Sequence, residues 1–488
     1  MNKKTYHIIT IGCQMNKSDS ERIAGVFEEL GFTESVERKL AHFVVLTTCG
    51  VRQAAEDRAV GLVARIKKEN KNARIILAGC LSEREDVIKK LKDMVDIWLP
   101  ARGICDLRFA ICDLDKEETR NKKQETKKIQ STKSKSLRAN HQNHDYLNIL
   151  PKYSSSFSAF VPIGNGCDNF CTYCVVPYAR GREVYRLADE IVSEVEELVR
   201  RGYKEITLIA QNVNSYFSPD ASSCHSREGG NPESSIKPWI PAYAGMTREG
   251  SANFANLLRV INFIPGDFWI RFATSHPKDM SDDLIAAIND CEKVCKHIHL
   301  PAQAGDNHVL ERMNRKYTIE HYIKLIEKIR SQIINNQYSI SNDDWQAPVA
   351  LTTDVIVGFP GETREQFLNT VGLFEKVKYD MAYIAQYSPR PGTAAKKMED
   401  DVLQTEKKQR EHELTEVLRK TALENNQAYF GKIVKVLVEG QNKKGELISR
   451  TGTNKTVKFS GDKNLIGNFV NIKIEKVRDF GLNGVLEK

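Results

Sequence analysis

Gly166-Cys167-Asp168-Asn169-Phe170-Cys171-Thr172-Tyr173-Cys174 is the stretch from which the rest of the chain can be read. Its three cysteines follow Cys-x3-Cys-x2-Cys spacing, just after an apolar, strand-like run from Phe160 to Gly164. Thiolates are soft ligands suited to iron–sulfur clusters, and a cubane of four irons ordinarily takes four of them. With three offered, one iron is left open for a small molecule. Two plainer readings stand beside this one, a zinc knuckle or buried free thiols. Zinc wants a fourth ligand, and no Cys or His follows at zinc-finger spacing.

Downstream, helix and strand patterns alternate. Leu187 to Arg201 is an amphipathic helix and Glu205 to Ala210 a strand. Further strands are predicted at Phe268–Ala273, His297–Leu300, Ala350–Phe359 and Met381–Tyr387, with helices at Asp282–Cys291, Ile319–Ile334 and Arg364–Val377. Together with the strand before Cys167 these make six βα units, too few for a closed eight-stranded barrel. An open, partial (βα)6 barrel over 154–390 is expected, with the cysteine loop at its C-terminal mouth.

Upstream, residues 1–112 repeat one idea three times. His7–Gly12 ends at Cys13, Phe43–Thr48 at Cys49 and Arg74–Gly79 at Cys80, each strand followed by a helical pattern: Asp19–Leu30, Gln53–Lys68 and Glu83–Leu91. Short apolar strands alternating with helices imply a parallel α/β sheet, whose strand-end loops share one edge. Cys13, Cys49 and Cys80 would meet there, as ligands of a second cluster or as small core residues. Cys105 and Cys112 lie off the pattern.

The 488 residues carry a net charge of +8, 11 cysteines and 41% hydrophobic residues, which fits several soluble domains. No apolar run reaches the roughly 18 residues a membrane span needs, and the first residues lead into a strand, so a cytoplasmic protein is expected. A polar, lysine-rich linker is predicted at 113–153, including Lys116–Lys135. A charged helical connector follows the barrel at 391–424. Residues 425–488 show strand alternation at Gly431–Gly440 and Phe469–Val477, with shorter strands at Thr456–Phe459 and Gly484–Leu486. They predict a small β-barrel, and its last 58 residues from Gly431 hold twelve Lys/Arg against six Asp/Glu, a balance that suits a phosphate backbone.

The motifs resemble one family. The Cys-x3-Cys-x2-Cys loop with Tyr173 before its last cysteine is similar to that of the radical S-adenosylmethionine superfamily. Gly12-Cys13-Gln14-Met15-Asn16, Ser18-Asp19-Ser20-Glu21 and Val175-Val176-Pro177-Tyr178-Ala179-Arg180-Gly181-Arg182-Glu183 resemble its methylthiotransferases. Gln211-Asn212-Val213-Asn214-Ser215-Tyr216 resembles the branch named MiaB, which acts on tRNA. The likeness continues through Thr274–Pro277, His299–Pro301, Asp354–Glu362 and Tyr387–Thr393.

This resemblance implies two 4Fe-4S clusters, one on Cys167, Cys171 and Cys174 that binds S-adenosyl-L-methionine, the other on Cys13, Cys49 and Cys80. It implies reductive cleavage of S-adenosylmethionine to a 5′-deoxyadenosyl radical, and methylthiolation at C2 of an N6-isopentenyladenosine next to the anticodon of tRNA. An electron donor and a sulfur or cluster supplier are implied partners. The carboxy-terminal barrel resembles the RNA-binding TRAM domain, with Lys432, Arg450, Lys455 and Lys458 as candidates for RNA. Tyr173, Ile356 and Gly358 are candidates for the cofactor, although Gly358 and Gly361 also suit ordinary turns. No catalytic side chain is assigned beyond the clusters.

His297 and His299 alternate on a strand and read as barrel-lining; Cys291 and Cys295 read as packed thiols. A stretch at about 218–251, which includes Cys224 and resembles a translated genomic repeat, departs from the family pattern, as does the polar Ser331–Gln346. The alternatives are a sister enzyme acting on threonylcarbamoyl-adenosine tRNA or on a ribosomal protein, and a non-catalytic iron–sulfur protein that binds RNA.

Overall fold

The computed structural model describes residues 4–51, 53–112, 147, 149–219, 253–333 and 347–487. The run Lys116–Lys135, Cys224 and most of the two stretches that depart from the family pattern lie outside these residues.

Strands β1 (Thr5–Thr10), β2 (Thr33–Glu34), β3 (Phe43–Thr48), β4 (Arg74–Gly79) and β5 (Ile97–Leu99) form a parallel sheet of order β2-β1-β3-β4-β5. The edge strands β2 and β5 are too short to show a period, which is why the sequence pattern misses them. Phe43 and Val45 point into one apolar layer and Val44 and Leu46 into the other. A sheet buried on both faces therefore reads as a continuous apolar run. Helices α1 (Gln14–Glu29), α2 (Gln53–Glu69) and α3 (Glu85–Leu91) follow the three cysteine-ended strands. α1 starts five residues before the predicted helical pattern, which begins at Asp19. Besides Ile23, Val26 and Phe27 it buries Asn16, Ser18, Asp19, Glu21 and Arg22, and it packs on the first strand of the next unit.

That unit holds β6 (Ser158–Pro162), a small hairpin of β7 (Gly164–Asn165) and β8 (Val184–Tyr185), and then β9 (Glu205–Ile209), β10 (Trp269–Phe272), β11 (His297–His299), β12 (Ala350–Val357) and β13 (Met381–Gln386). Parallel sets β6-β9-β10 and β11-β12-β13 are linked by a bridge between Ile270 and Val294 and by the Ser275 N–H to the His299 carbonyl (3.0 Å). Six strands thus form an open barrel. Tyr153, at the end of the stretch read as linker, is anchored through its hydroxyl to Glu194, and the Ser154 N–H and hydroxyl bind Glu21 of α1.

The helix Gln404–Gln427 packs against β13. Beyond it, β14 (Ile433–Gln441), β15 (Leu447–Thr451), β16 (Thr456–Phe459), β17 (Phe469–Arg478) and β18 (Gly481–Leu486) close a five-stranded barrel. Its β15–β16 turn fits against the N-terminal ends of the central strands. Arg271 donates to the Thr451 and Gly452 carbonyls (2.9 and 3.3 Å), and Lys455 Nζ pairs with Asp380 at 2.5 Å. Lys455, expected to face RNA, is instead 7% exposed and committed to an ion pair between units. No helix among the described residues is long and apolar enough to cross a membrane.

Candidate functional site

The loop Cys167–Cys174 leaves the C-terminal end of the β6 segment through β7. Gly166 takes φ +82°, and a Cβ there would lie 2.1 Å from the Arg182 carbonyl oxygen, so no other residue fits. The loop is clamped by a segment some 140 residues away. The Thr172 N–H donates to the Met313 carbonyl (3.1 Å), its hydroxyl to the Arg312 carbonyl (2.9 Å), and Asn314 Nδ2 to the Phe170 carbonyl (3.0 Å).

Arg315, 8% exposed, donates from Nη1 to Cys171 Sγ (3.5 Å). Burial works against its charge, but Tyr173, Tyr317 and Cys171 hold its pKa above the usual value. Arg315 escaped the sequence reading because no spacing ties it to the cysteines. Burial raises the Cys167 pKa, and it pushes Cys174 up to about 12 with Cys171, Cys167 and Cys80 adding to the effect. Thiols crowded in this way need a bound cation to become thiolates together.

The second triplet is assembled by the sheet. β1, β3 and β4 are neighbours in parallel register, so Cys13, Cys49 and Cys80 sit at adjacent strand ends. A Cβ on Gly12 would lie 2.8 Å from that of Cys49, and one on Gly50 would lie 3.2 Å from that of Cys80 and 3.6 Å from Val175 Cγ2. Val175 directly follows Cys174, so the two triplets face each other. Among the described residues no three His, Cys, Asp or Glu side chains are gathered closely enough for a single metal ion.

Arg180 fastens the two halves together. Its guanidinium, 2% exposed, donates to Asp19 Oδ2 (2.6 Å) and Asn16 Oδ1 (3.2 Å) of α1 and to Asn165 Oδ1 (3.2 Å) of β7. Arg390 adds a second tie from the far side of the barrel, donating to Gln53 Oε1 (2.9 Å) beside Glu56 (3.5 Å) of α2. Both motif arginines therefore join the cysteine-bearing units.

A cavity of about 670 Å³ opens at this junction, with Cys174, Tyr173, Gln303, Ile356 and Tyr383 on the barrel side and Val51 and Gln53 on the sheet side. Tyr173 and Ile356, two of the cofactor candidates, line this cavity. Gly358 does not line this cavity. Its φ is +66°, and a Cβ there would meet Lys407 Cγ at 2.4 Å, so the backbone conformation and a lysine stem already call for glycine.

The Gln211–Tyr216 loop closes the barrel mouth. Asn214 donates to the His276 carbonyl (2.9 Å) and accepts from the His276 N–H (2.8 Å), while Asn212 Nδ2 donates to Asp279 Oδ2 (2.7 Å). Burial, with Arg315 and Lys278 nearby, lowers the His276 pKa to about 2, so the ring is neutral. Gln211 Oε1, Asn212 Oδ1 and Ser275 Oγ are buried there without a hydrogen-bond partner. Orphaned polar atoms in the loops after β9 and β10 leave hydrogen-bonding capacity for a polar small molecule.

The remaining candidates disperse. Arg450 is bound to Glu439 (2.9 Å) and Asn454 (3.1 Å), Lys432 is half-buried, and Lys458 is exposed on β16. His297 and His299 share the Thr352 hydroxyl (3.0 and 2.9 Å), as barrel-lining groups do. Cys291 and Cys295 are buried in apolar surroundings.

Residues 5–100 match the Uncharacterized protein family UPF0004, 161–374 the Radical SAM superfamily and 427–486 the TRAM domain. A protein of Thermoanaerobacter pseudethanolicus named tRNA-2-methylthio-N(6)-dimethylallyladenosine synthase is 41% identical, over 99% of this chain and 92% of its own. One of the same name from Syntrophomonas wolfei is 39% identical, over 98% and 97%. Among solved structures, the radical S-adenosylmethionine methyltransferase TsrM of Kitasatospora setae superposes with a TM-score of 0.51 at 13% identity, over 80% of this chain and 77% of that one. This last likeness speaks for the fold alone.

Proposed function

The chain belongs to the family of tRNA-2-methylthio-N(6)-dimethylallyladenosine synthases, and from that membership we propose that it methylthiolates C2 of an N6-isopentenylated adenosine beside the anticodon of tRNA. Cys167, Cys171 and Cys174 would hold one 4Fe-4S cluster with its open iron toward S-adenosylmethionine. Cys13, Cys49 and Cys80 would hold the second. The observation that carries the reading is the approach of the second triplet to the first, with Gly50 packed between Cys80 and Val175, the residue after Cys174, beside the cavity that Cys174 lines.

When bound, these groups supply a carbon radical that takes a hydrogen and a sulfur that replaces it. The chain's own part is placement. Arg315 fixes Cys171 through its N–H, and Gln211, Asn212 and Ser275 offer polar atoms to the bound molecule. Arg180 and Arg390 hold the sheet over the barrel mouth and help keep water out. The chemistry also calls for an electron donor and a supplier of sulfur or cluster.

The test is an anaerobic reaction of reconstituted protein with reductant, S-adenosylmethionine and isopentenylated tRNA, followed by mass spectrometry. Both 5′-deoxyadenosine and a methylthio group on the adenosine beside the anticodon are expected. Radical formation with no tRNA product would point to a sister substrate. Neither product, from protein carrying two clusters, would overturn the catalytic reading.

A further inference from the structure

The carboxy-terminal barrel was expected to present Lys432, Arg450, Lys455 and Lys458 to RNA, yet Lys455 is buried in a pair with Asp380 and Arg450 is engaged by Glu439. Four accessible cations gather elsewhere. A groove between the helix Gln404–Gln427 and the end of β17 is lined by Arg419, Lys420, Lys476 and Arg478, against Glu416 and Asp479. All four cations are exposed. Arg419 meets Glu416 at 3.6 Å and Asp479 at 3.9 Å, long contacts open to solvent.

The residue after Asp479 is Phe480, in the β17–β18 turn, and it lines the cavity that also contains Cys174 and Tyr383. Phe480 is 38% exposed and Tyr383 52%, large aromatic surfaces left uncovered at a concave site. Phosphate-pairing cations that lead to an uncovered aromatic face, and then to a cavity, are the arrangement that binds an unstacked nucleotide and its flanking backbone.

We propose that the substrate RNA runs along this seam between the long helix and the last hairpin, that its phosphates lie against Arg419, Lys420, Lys476 and Arg478, and that Phe480 stacks on a base at the cavity mouth. The proposal rests on the functional reading above and adds to it where the RNA lies. It makes Phe480 a substrate-positioning residue and leaves the outer face of β16, with Lys458, outside the footprint.

The test uses the full-length reconstituted protein and a fluorescein-labelled anticodon stem-loop RNA carrying N6-isopentenyladenosine, with binding read by anisotropy across a salt series. Phe480→Ala is expected to weaken binding about 5- to 100-fold and Phe480→Tyr to restore it, since stacking needs only an aromatic face. Phe480→Leu keeps the apolar bulk and should melt like the wild type while binding as poorly as the alanine variant. Lys476→Glu with Arg478→Glu should cost more than about tenfold and flatten the log–log salt slope by about 1.4, two phosphates at roughly 0.7 each. Lys458→Glu should stay within about twofold. If wild-type protein binds this RNA while the Phe480 variants and the Lys476/Arg478 pair stay within about twofold of it, the seam is wrong. If the wild type does not bind the RNA at all, the functional reading falls, and the seam with it.

Discussion

The two cysteine triplets are held in place by opposite means. Cys167, Cys171 and Cys174 lie within eight consecutive residues, in a loop turned by Gly166 at φ +82° and clamped by hydrogen bonds from the 312–315 segment. Cys13, Cys49 and Cys80 span 68 residues and come together only because β1, β3 and β4 are parallel neighbours. One triplet is a property of a loop, the other of a whole sheet. The first needs Gly166 and one clamping segment, whereas the second depends on the register of β1, β3 and β4. What makes them one site is the seam between them, and the side chains that build it are polar.

The sharpest way to separate the triplets is to remove a thiol from each. Cys167→Ala should abolish 5′-deoxyadenosine, whereas Cys13→Ala should leave some and stop methylthiolation. If mass spectrometry found methylthiolated tRNA from the Cys13 variant, the second triplet would have no part in the reaction. Breaking the seam comes next. Arg180→Ala leaves Asp19, whose side chain is 3% exposed, buried without its counter-charge, a loss of about 3–5 kcal/mol. Hydrogen exchange should then rise in α1 and at 176–180; a variant that melts like the wild type would mean other contacts hold the halves together.

Acid offers a smaller, graded test confined to the barrel side. His276 titrates near 2 when folded and near 6.5 when unfolded. Between those values the unfolded chain takes a proton that the folded one refuses, so stability is full above about 6.5 and falls with pH by about 1.4 kcal/mol per unit. Denaturant midpoints at pH 7, 6 and 5 would measure the slope, and His276→Gln should flatten it. An unchanged slope in that variant would show that the ring does not stay neutral in the fold.

What was legible in the sequence follows the same division. Spacing exposed the contiguous loop, and continuous apolar runs bounded β3 and β4 to the residue, because strands buried on both faces announce themselves. Topology, once inferred, brought the dispersed cysteines to one edge. The seam was not legible. Asn16, Asp19, Glu21 and Arg22 lie off the apolar stripe of α1, and the second unit packed on that helix makes them interior. β15 went unread because its polar Ser449 and Thr451 are buried. Lys455 and Gly358 were candidates for ligands because charge and glycine are ambiguous in sequence: Lys455 lies in an ion pair, and Gly358 also clears space for Lys407.

The β15–β16 turn also bears on inheritance. By capping the central strands from below, with Arg271 on the Thr451 carbonyl and Lys455 on Asp380, it serves as the floor of the barrel. A reading frame cut short before 427–486 would therefore yield more than an enzyme with weaker RNA contacts. Its barrel would be left with Arg271, His297 and Asp380 facing water where their partners had been. Natural shuffling of such modules should thus carry the catalytic core and its last barrel together as one heritable block.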